Sequence, residues 1–251
     1  MEARAGRGSA AARRGVVSGA SARVDIVLNA CKVAIVAALE REVWPLVKDW
    51  RTEEKEYAGR SFKFFEREGT VLVCGGVGAE AARRAAEAVI TLYAPELMIS
   101  AGFAGGLDPV LKAGETLTPR LVIDASDGSR SDSGSGQGVL VSFREVADPA
   151  QKASLAKAYG ADAVDMEAAA VSRCAQAHGI RFLACKAVSD SREQRLPPVA
   201  RFMAADGTFQ SFRFLAHVAL RPWLWIGVVQ LARNTAAAAQ SLCRQLAAAT
   251  R

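Results

Sequence analysis

The chain has 251 residues, enough for one α/β domain or two small ones, and 51% of it is apolar, so a large core can form. Its 32 basic and 26 acidic residues give a formal charge of +6. The basic residues are scattered, many arginines lie near the two ends, and no basic stripe is interleaved with aromatics, which speaks against nucleic acid as a partner. The five cysteines sit in apolar runs (Cys31, Cys74, Cys185) or helical ones (Cys174, Cys243), which suits buried, reduced thiols in a cytoplasmic protein rather than a disulfide framework. His178 and His217 lack a Cys or His partner at metal-ligand spacing, so no zinc site is expected.

Residues 1–30 are rich in Ala, Gly, Ser and Arg and poor in acids. They lack the continuous apolar stretch of a secretory signal. They read as a disordered or extraneous tail, though the composition also fits an organelle transit peptide. Cys31 to Leu39 is a short apolar run that suits a buried parallel strand. It leads into Glu40, Arg41 and Glu42, which open a helix. Acids at that position either face a ligand at the carboxyl edge of a sheet or simply offset the helix dipole.

Ser61 to Glu68 and Thr70 to Cys74 read as two strands turning at Gly69. Gly75 to Gly78 precede a helix from Ala79 to about Leu92. Gly76, Gly78 and Ala81 loosely match a dinucleotide fingerprint, but the acid that would hold the ribose is missing after the next strand. A tight glycine turn is the preferred reading, and no cofactor is expected. Leu97 to Ser100 is a strand ending in a glycine loop, Ala101 to Leu107, where a ligand can approach the backbone closely. Strands follow at 117–124 and 139–142, with a mobile Ser/Gly/Asp-rich loop between them at 127–138. Pro149 to Tyr159 reads as a helix.

The stretch Ala163 to Val171, AVDMEAAAV, reads as helical, with Val164, Glu167, Val171 and Cys174 on one stripe. A carboxylate on an apolar face is costly without a partner. Glu167 is therefore either solvated, with the register misread, or it points into a pocket and accepts hydrogen bonds from a ligand. A strand from Ile180 to Val188 carries Ser189 and Asp190 at its carboxyl end. Helices are expected at 212–220 and 222–246, and the apolar run in the second is well under the roughly 20 residues that span a bilayer. The organisation expected is a tail (1–30), a main domain (31–195) and a helical extension (196–251).

Four of these motifs, taken together, resemble the nucleoside phosphorylase superfamily, and most closely its methylthioadenosine/S-adenosylhomocysteine nucleosidases. VAIVAALEREV (33–43) resembles their first strand and acidic turn, and SAGFAGGLDPVLKAGE (100–115) their glycine loop. AVDMEAAAV (163–171) is similar to the segment that holds the ribose, and CKAVSD (185–190) to the strand with their catalytic aspartate. The resemblance covers roughly residues 32–190, in the same order. It implies a three-layer α/β/α fold around a central mixed sheet, flanked by helices on both faces. In the tail, LPP at 196–198, Asp206-Gly207, Arg221-Pro222 and the helix after them are similar to hopanoid-associated phosphorylases, which are linked to adenine removal from adenosylhopane.

The resemblance implies cleavage of a purine nucleoside, with adenine as the expected base. Asp190 would protonate the leaving base, Glu167 would hold the ribose with Met166 against the sugar, and Glu42 would be the base for water. Phe103, Ala104, Gly105, Val146 and Ser189 would complete the substrate site. Two positions depart from the nucleosidases: Phe103 replaces a small or hydroxylic residue, and Val146 lies near an aromatic that stacks on adenine. Near the glycine loops only Arg41, Arg83 and Arg84 could meet a phosphate dianion, and Glu42 would repel it, so hydrolysis is preferred over phosphorolysis. A non-catalytic nucleoside- or lipid-binding protein is the alternative of a different class. The resemblance also implies a homo-oligomer. Trp223, Trp225, Ile226, Val229 and Leu231 beside Arg221 and Arg233 suit contact of residues 222–232 with the inner face of a membrane, or packing on the sheet or a second subunit.

Overall fold

The computed structural model describes residues 31–202, 204 and 207–250. The tail expected at 1–30 and the motif residue Asp206 lie outside the described residues. β1 (Val33–Ala37) leads into α1 (Glu40–Val47), and β2 (Arg51–Tyr57), β3 (Arg60–Arg67) and β4 (Thr70–Cys74) follow as an antiparallel meander. Next come α2 (Ala79–Tyr93), β5 (Leu97–Gly106), β6 (Thr116–Leu117), β7 (Leu121–Asp124), β8 (Arg130–Asp132) and β9 (Val139–Ser142). α3 (Pro149–Tyr159), β10 (Ala163–Asp165), α4 (Ala168–Ala177), β11 (Arg181–Asp190), α5 (Ser211–Ala219) and α6 (Trp225–Ala249) complete the chain.

The strands form one mixed sheet in the order β2-β3-β4-β1-β5-β10-β9-β7-β8, with β11 also paired to β5 and to β6. β1 is parallel to both β4 and β5. Its side chains alternate between two cores, as period-two geometry requires. Ala34 and Val36 pack with Ala85 and Val89 of α2 and Val171 of α4. Ile35 and Ala37 pack with Val43 and Val47 of α1 and Leu242 and Leu246 of α6. A third cluster, including Ile123, Val141, Leu155 and Val164, lies under α3. The expected α/β/α sandwich is therefore present, and the distal half of α6 is one of its layers.

Several local expectations change. The supposed glycine loop is the second half of β5, which continues through Gly106 because β10 and β11 both pair with it there. The strand expected at 117–124 breaks at Pro119 into β6 and β7. The 127–138 segment contains a short strand the sequence did not suggest: β8 returns along β7, and Gln137 donates to the Thr118 carbonyl at 2.9 Å. β2, RTEEKEY, gave no apolar signal because it is a charged edge strand whose residues are exposed or half-buried along its length. The stripe through Glu167 is also broken, because Val164 belongs to β10 and the helix starts only at Ala168.

Candidate active site

The carboxyl ends of β1, β5, β10 and β11 open onto one cleft. All nine residues expected to do chemistry or touch substrate line it: Glu42, Phe103, Ala104, Gly105, Val146, Met166, Glu167, Ser189 and Asp190.

Each carboxylate reaches the cleft by a different local device. Glu42 sits in the first turn of α1 and is 5% exposed. Its Oε2 is 3.5 Å from the Leu39 amide, and a Cβ at Gly102 would stand 3.0 Å from it, so the glycine leaves room for the carboxylate. Burial, and then the charge of Glu167, pushes the Glu42 carboxyl up to about 7.

Glu167 is the residue before α4, with non-helical φ and ψ of −130° and −35°. This turn, rather than a helical stripe, aims its side chain. Its Oε1 accepts from the Gly78 amide at 2.8 Å and its Oε2 from its neighbour Met166 at 3.2 Å. The glycine turn 75–78 thus holds a protein carboxylate, and the positive φ of 96° at Gly78 points its N–H there. Burial, then the charge of Asp165, raises the Glu167 carboxyl above its ordinary range.

Asp190 ends β11 at an irregularity. The register with β5 runs Val188 to Ala104 and then Asp190 to Gly105, skipping Ser189. Such a bulge re-aims side chains at a site edge. The Ser189 hydroxyl donates to Asp190 Oδ1 at 2.6 Å, and the buried Lys152 ammonium of α3 pairs with Oδ2.

Beneath the cleft lies a buried polar network. Lys186 Nζ is 2.8 Å from Asp165 Oδ2 and donates to Ser100 Oγ at 3.1 Å. Asp165 also accepts from Ser142 Oγ at 2.6 Å and from the Ala168 amide at 2.9 Å, so it fixes where α4 begins and hence where Glu167 points. Burial works against the Lys186 charge, but Asp165 and Glu167 outweigh it and its pKa is raised.

The sequence reading missed Lys152, Lys186 and Asp165. Lys186 was detectable as a cation inside the apolar run of β11. Lys152 was not: in α3 it looks like any surface lysine. Leu196, Val199, Phe209, Leu231 and Thr235 of the C-terminal segment also line the cleft. Arg41 lines it as well, but its guanidinium is exposed and lies over the Phe209 ring, 5.1 Å from the centroid.

Fold and site define a three-layer α/β/α protein with a carboxylate-lined cleft at the carboxyl edge of its sheet. The chain belongs to the phosphorylase superfamily, whose family model matches residues 32–156 and 135–212. A 5′-methylthioadenosine/S-adenosylhomocysteine nucleosidase from Marinomonas sp. is 28% identical over 95 residues, which are 36% of this chain and 41% of that protein. The match therefore spans less than half the length of that relative. The Neisseria meningitidis nucleosidase of the same name, solved with methylthio-immucillin-A, shares the fold with a TM-score of 0.64 at 20% identity, over 86% of this chain and 97% of that one. Futalosine hydrolase of Helicobacter pylori gives a TM-score of 0.64 at 16% identity, over 86% and 96% of the two chains.

Proposed function

We propose that this chain cleaves the N-glycosidic bond of a purine nucleoside, with adenine as the base and water as the nucleophile. The observation that carries the reading is the convergence of Glu42, Glu167 and Asp190 on one cleft from three separate strand ends. Glu42, poised near neutrality, suits a general base for water. Glu167 suits the ribose hydroxyls, and its negative charge favours a sugar that turns positive in the transition state. Asp190, which lines the same cleft, suits the acid that protonates the leaving base. The names of the relatives, a nucleosidase and a hydrolase, support hydrolysis.

One apolar part of the cleft lining is made by Leu196, Val199, Phe209 and Leu231. That apolar wall favours a bulky apolar group at the 5′ position of the nucleoside, and adenosylhopane is a substrate of that kind. In the same C-terminal segment, Trp223, Trp225 and Ile226 are 74%, 52% and 82% exposed. Arg213, Arg221 and Arg233 flank them along the chain, and no acid occurs between Gly207 and Thr250. Exposed apolar side chains in a segment whose only charged side chains are cationic suit the surface of an anionic bilayer. Among the described residues no single helix is long and apolar enough to cross a membrane, while the bent pair Ser211–Ala219 and Pro222–Ala249 reaches that length and composition only together.

A panel of adenine nucleosides with 5′ groups of increasing apolar size tests the reading. Release of free adenine and free sugar is expected, lost in Glu42→Ala and reduced about 10²–10⁴-fold in Asp190→Asn. Turnover that needs added phosphate and yields a sugar 1-phosphate would replace hydrolysis by phosphorolysis. Binding with no base release would make the chain a nucleoside- or lipid-binding protein.

A further inference from the structure

The roles above leave a buried cation at the cleft without a task. Lys152 is 1% exposed, and lysines are rarely buried so fully unless paired. It projects from the first turns of α3, where Asp148 caps the helix and its carboxylate accepts from the Gln151 amide at 2.8 Å. Its ammonium pairs with Asp190 Oδ2 and donates to the Ser191 carbonyl at 2.7 Å. The other Asp190 oxygen accepts from Ser189 at 2.6 Å. Both carboxylate oxygens are thus taken by donors, and an ion-paired carboxylate carries no proton to give. A Cβ at Gly105 would stand 3.0 Å from Lys152 Cε and 3.2 Å from Nζ, so β5 is cut back where the lysine reaches through.

We propose that Lys152 is the positioning residue that stores the proton of the leaving base and passes it through Asp190. This inference rests on the nucleosidase reading of the same cleft. As the glycosidic bond breaks, its electron pair goes to the purine. Lys152 Nζ gives its one proton to Asp190 Oδ2 and is left as a neutral amine, and Asp190 passes that same proton to the purine ring nitrogen and is left as the carboxylate. The water oxygen bonds to the anomeric carbon and its proton goes to Glu42. Transfer of that proton from Glu42 through solvent recharges Lys152, so each turnover consumes one water and leaves the protein unchanged.

Lys152→Met and Lys152→Arg test the inference on two substrates. Adenine needs a proton to leave, whereas the nitrophenolate of a nitrophenyl riboside does not. Arginine keeps the positive charge but does not give up its proton. Both variants should lose about 10²-fold or more in kcat for adenine release, with KM little changed, while nitrophenyl riboside turnover stays within a few-fold of wild type. The residual adenine release of Lys152→Met should rise as pH falls, because Asp190 then draws its proton from water. Full activity in Lys152→Arg would reduce Lys152 to a structural charge, and equal losses on both substrates would reduce it to a folding role. Either result overturns the inference while leaving the nucleosidase reading intact. Wild-type protein that releases no base from any nucleoside overturns that reading, and the inference with it.

Discussion

Glu42→Gln should make the protein more stable near pH 8 while stopping its chemistry. The Glu42 carboxyl is 5% exposed and pushed from 4.5 to about 7, first by burial and then by the Glu167 charge. The folded value is raised, so between about 4.5 and 7 the native state keeps a proton that the unfolded chain has released. Stability therefore falls as pH rises through that window and is lowest above it. At about 1.4 kcal/mol per tenfold, the ionised carboxylate costs about 3 kcal/mol once it is fully charged. Glutamine has the same shape, can still accept from the Leu39 amide, and carries no charge for Glu167 to repel. For a chain of this size 1 kcal/mol moves Tm by about 2–4 °C, so a rise of about 6–12 °C is expected near pH 8 and almost none near pH 4. Scanning calorimetry of both proteins at the two pH values reads this directly. A Tm gain equal at both pH values, or a loss near pH 8, would refute the claim that Glu42 is a destabilising buried charge.

The same group sets an activity profile: kcat/KM for base release should fall as pH drops through about 7, because the general base is then protonated, and a pH–rate curve checks it. Lys186→Met strands the buried Asp165 carboxylate and should destabilise the chain by about 3–5 kcal/mol in a denaturant titration. Gly105→Ala puts a Cβ 3.3 Å from Asp190 Oδ2 as well as against Lys152, and should slow adenine release far more than it lowers Tm. Wild type should sediment with anionic liposomes and a Trp223→Ser/Trp225→Ser variant should not. Equal behaviour of the two removes the membrane role, and a wild-type dimer that the variant loses would assign the face to a second subunit.

The sequence by itself determined the layers and much of the cleft. Short apolar runs such as Val33–Ala37 and Val139–Ser142 can be satisfied only as buried strands, and Pro149 to Tyr159 carries its own cap and stop, so local chemistry fixes them. The four motifs in order also brought Glu42, Glu167 and Asp190 into one argument. What the sequence could not supply is whatever depends on a neighbour distant in the chain. β2 is held by pairing rather than by apolar pattern, and β5 runs on through its glycines because β10 and β11 cover it. Glu167 is aimed by a turn that Asp165 fixes and by the amide of Gly78, 89 residues away. Lys152 and Asp190 are separated by 38 residues, and only the folded chain brings this α3 side chain to the last residue of β11. A charge inside a helix reads as solvated until the fold shows what faces it, and only tertiary structure turns Lys152 from a surface lysine into a partner of Asp190.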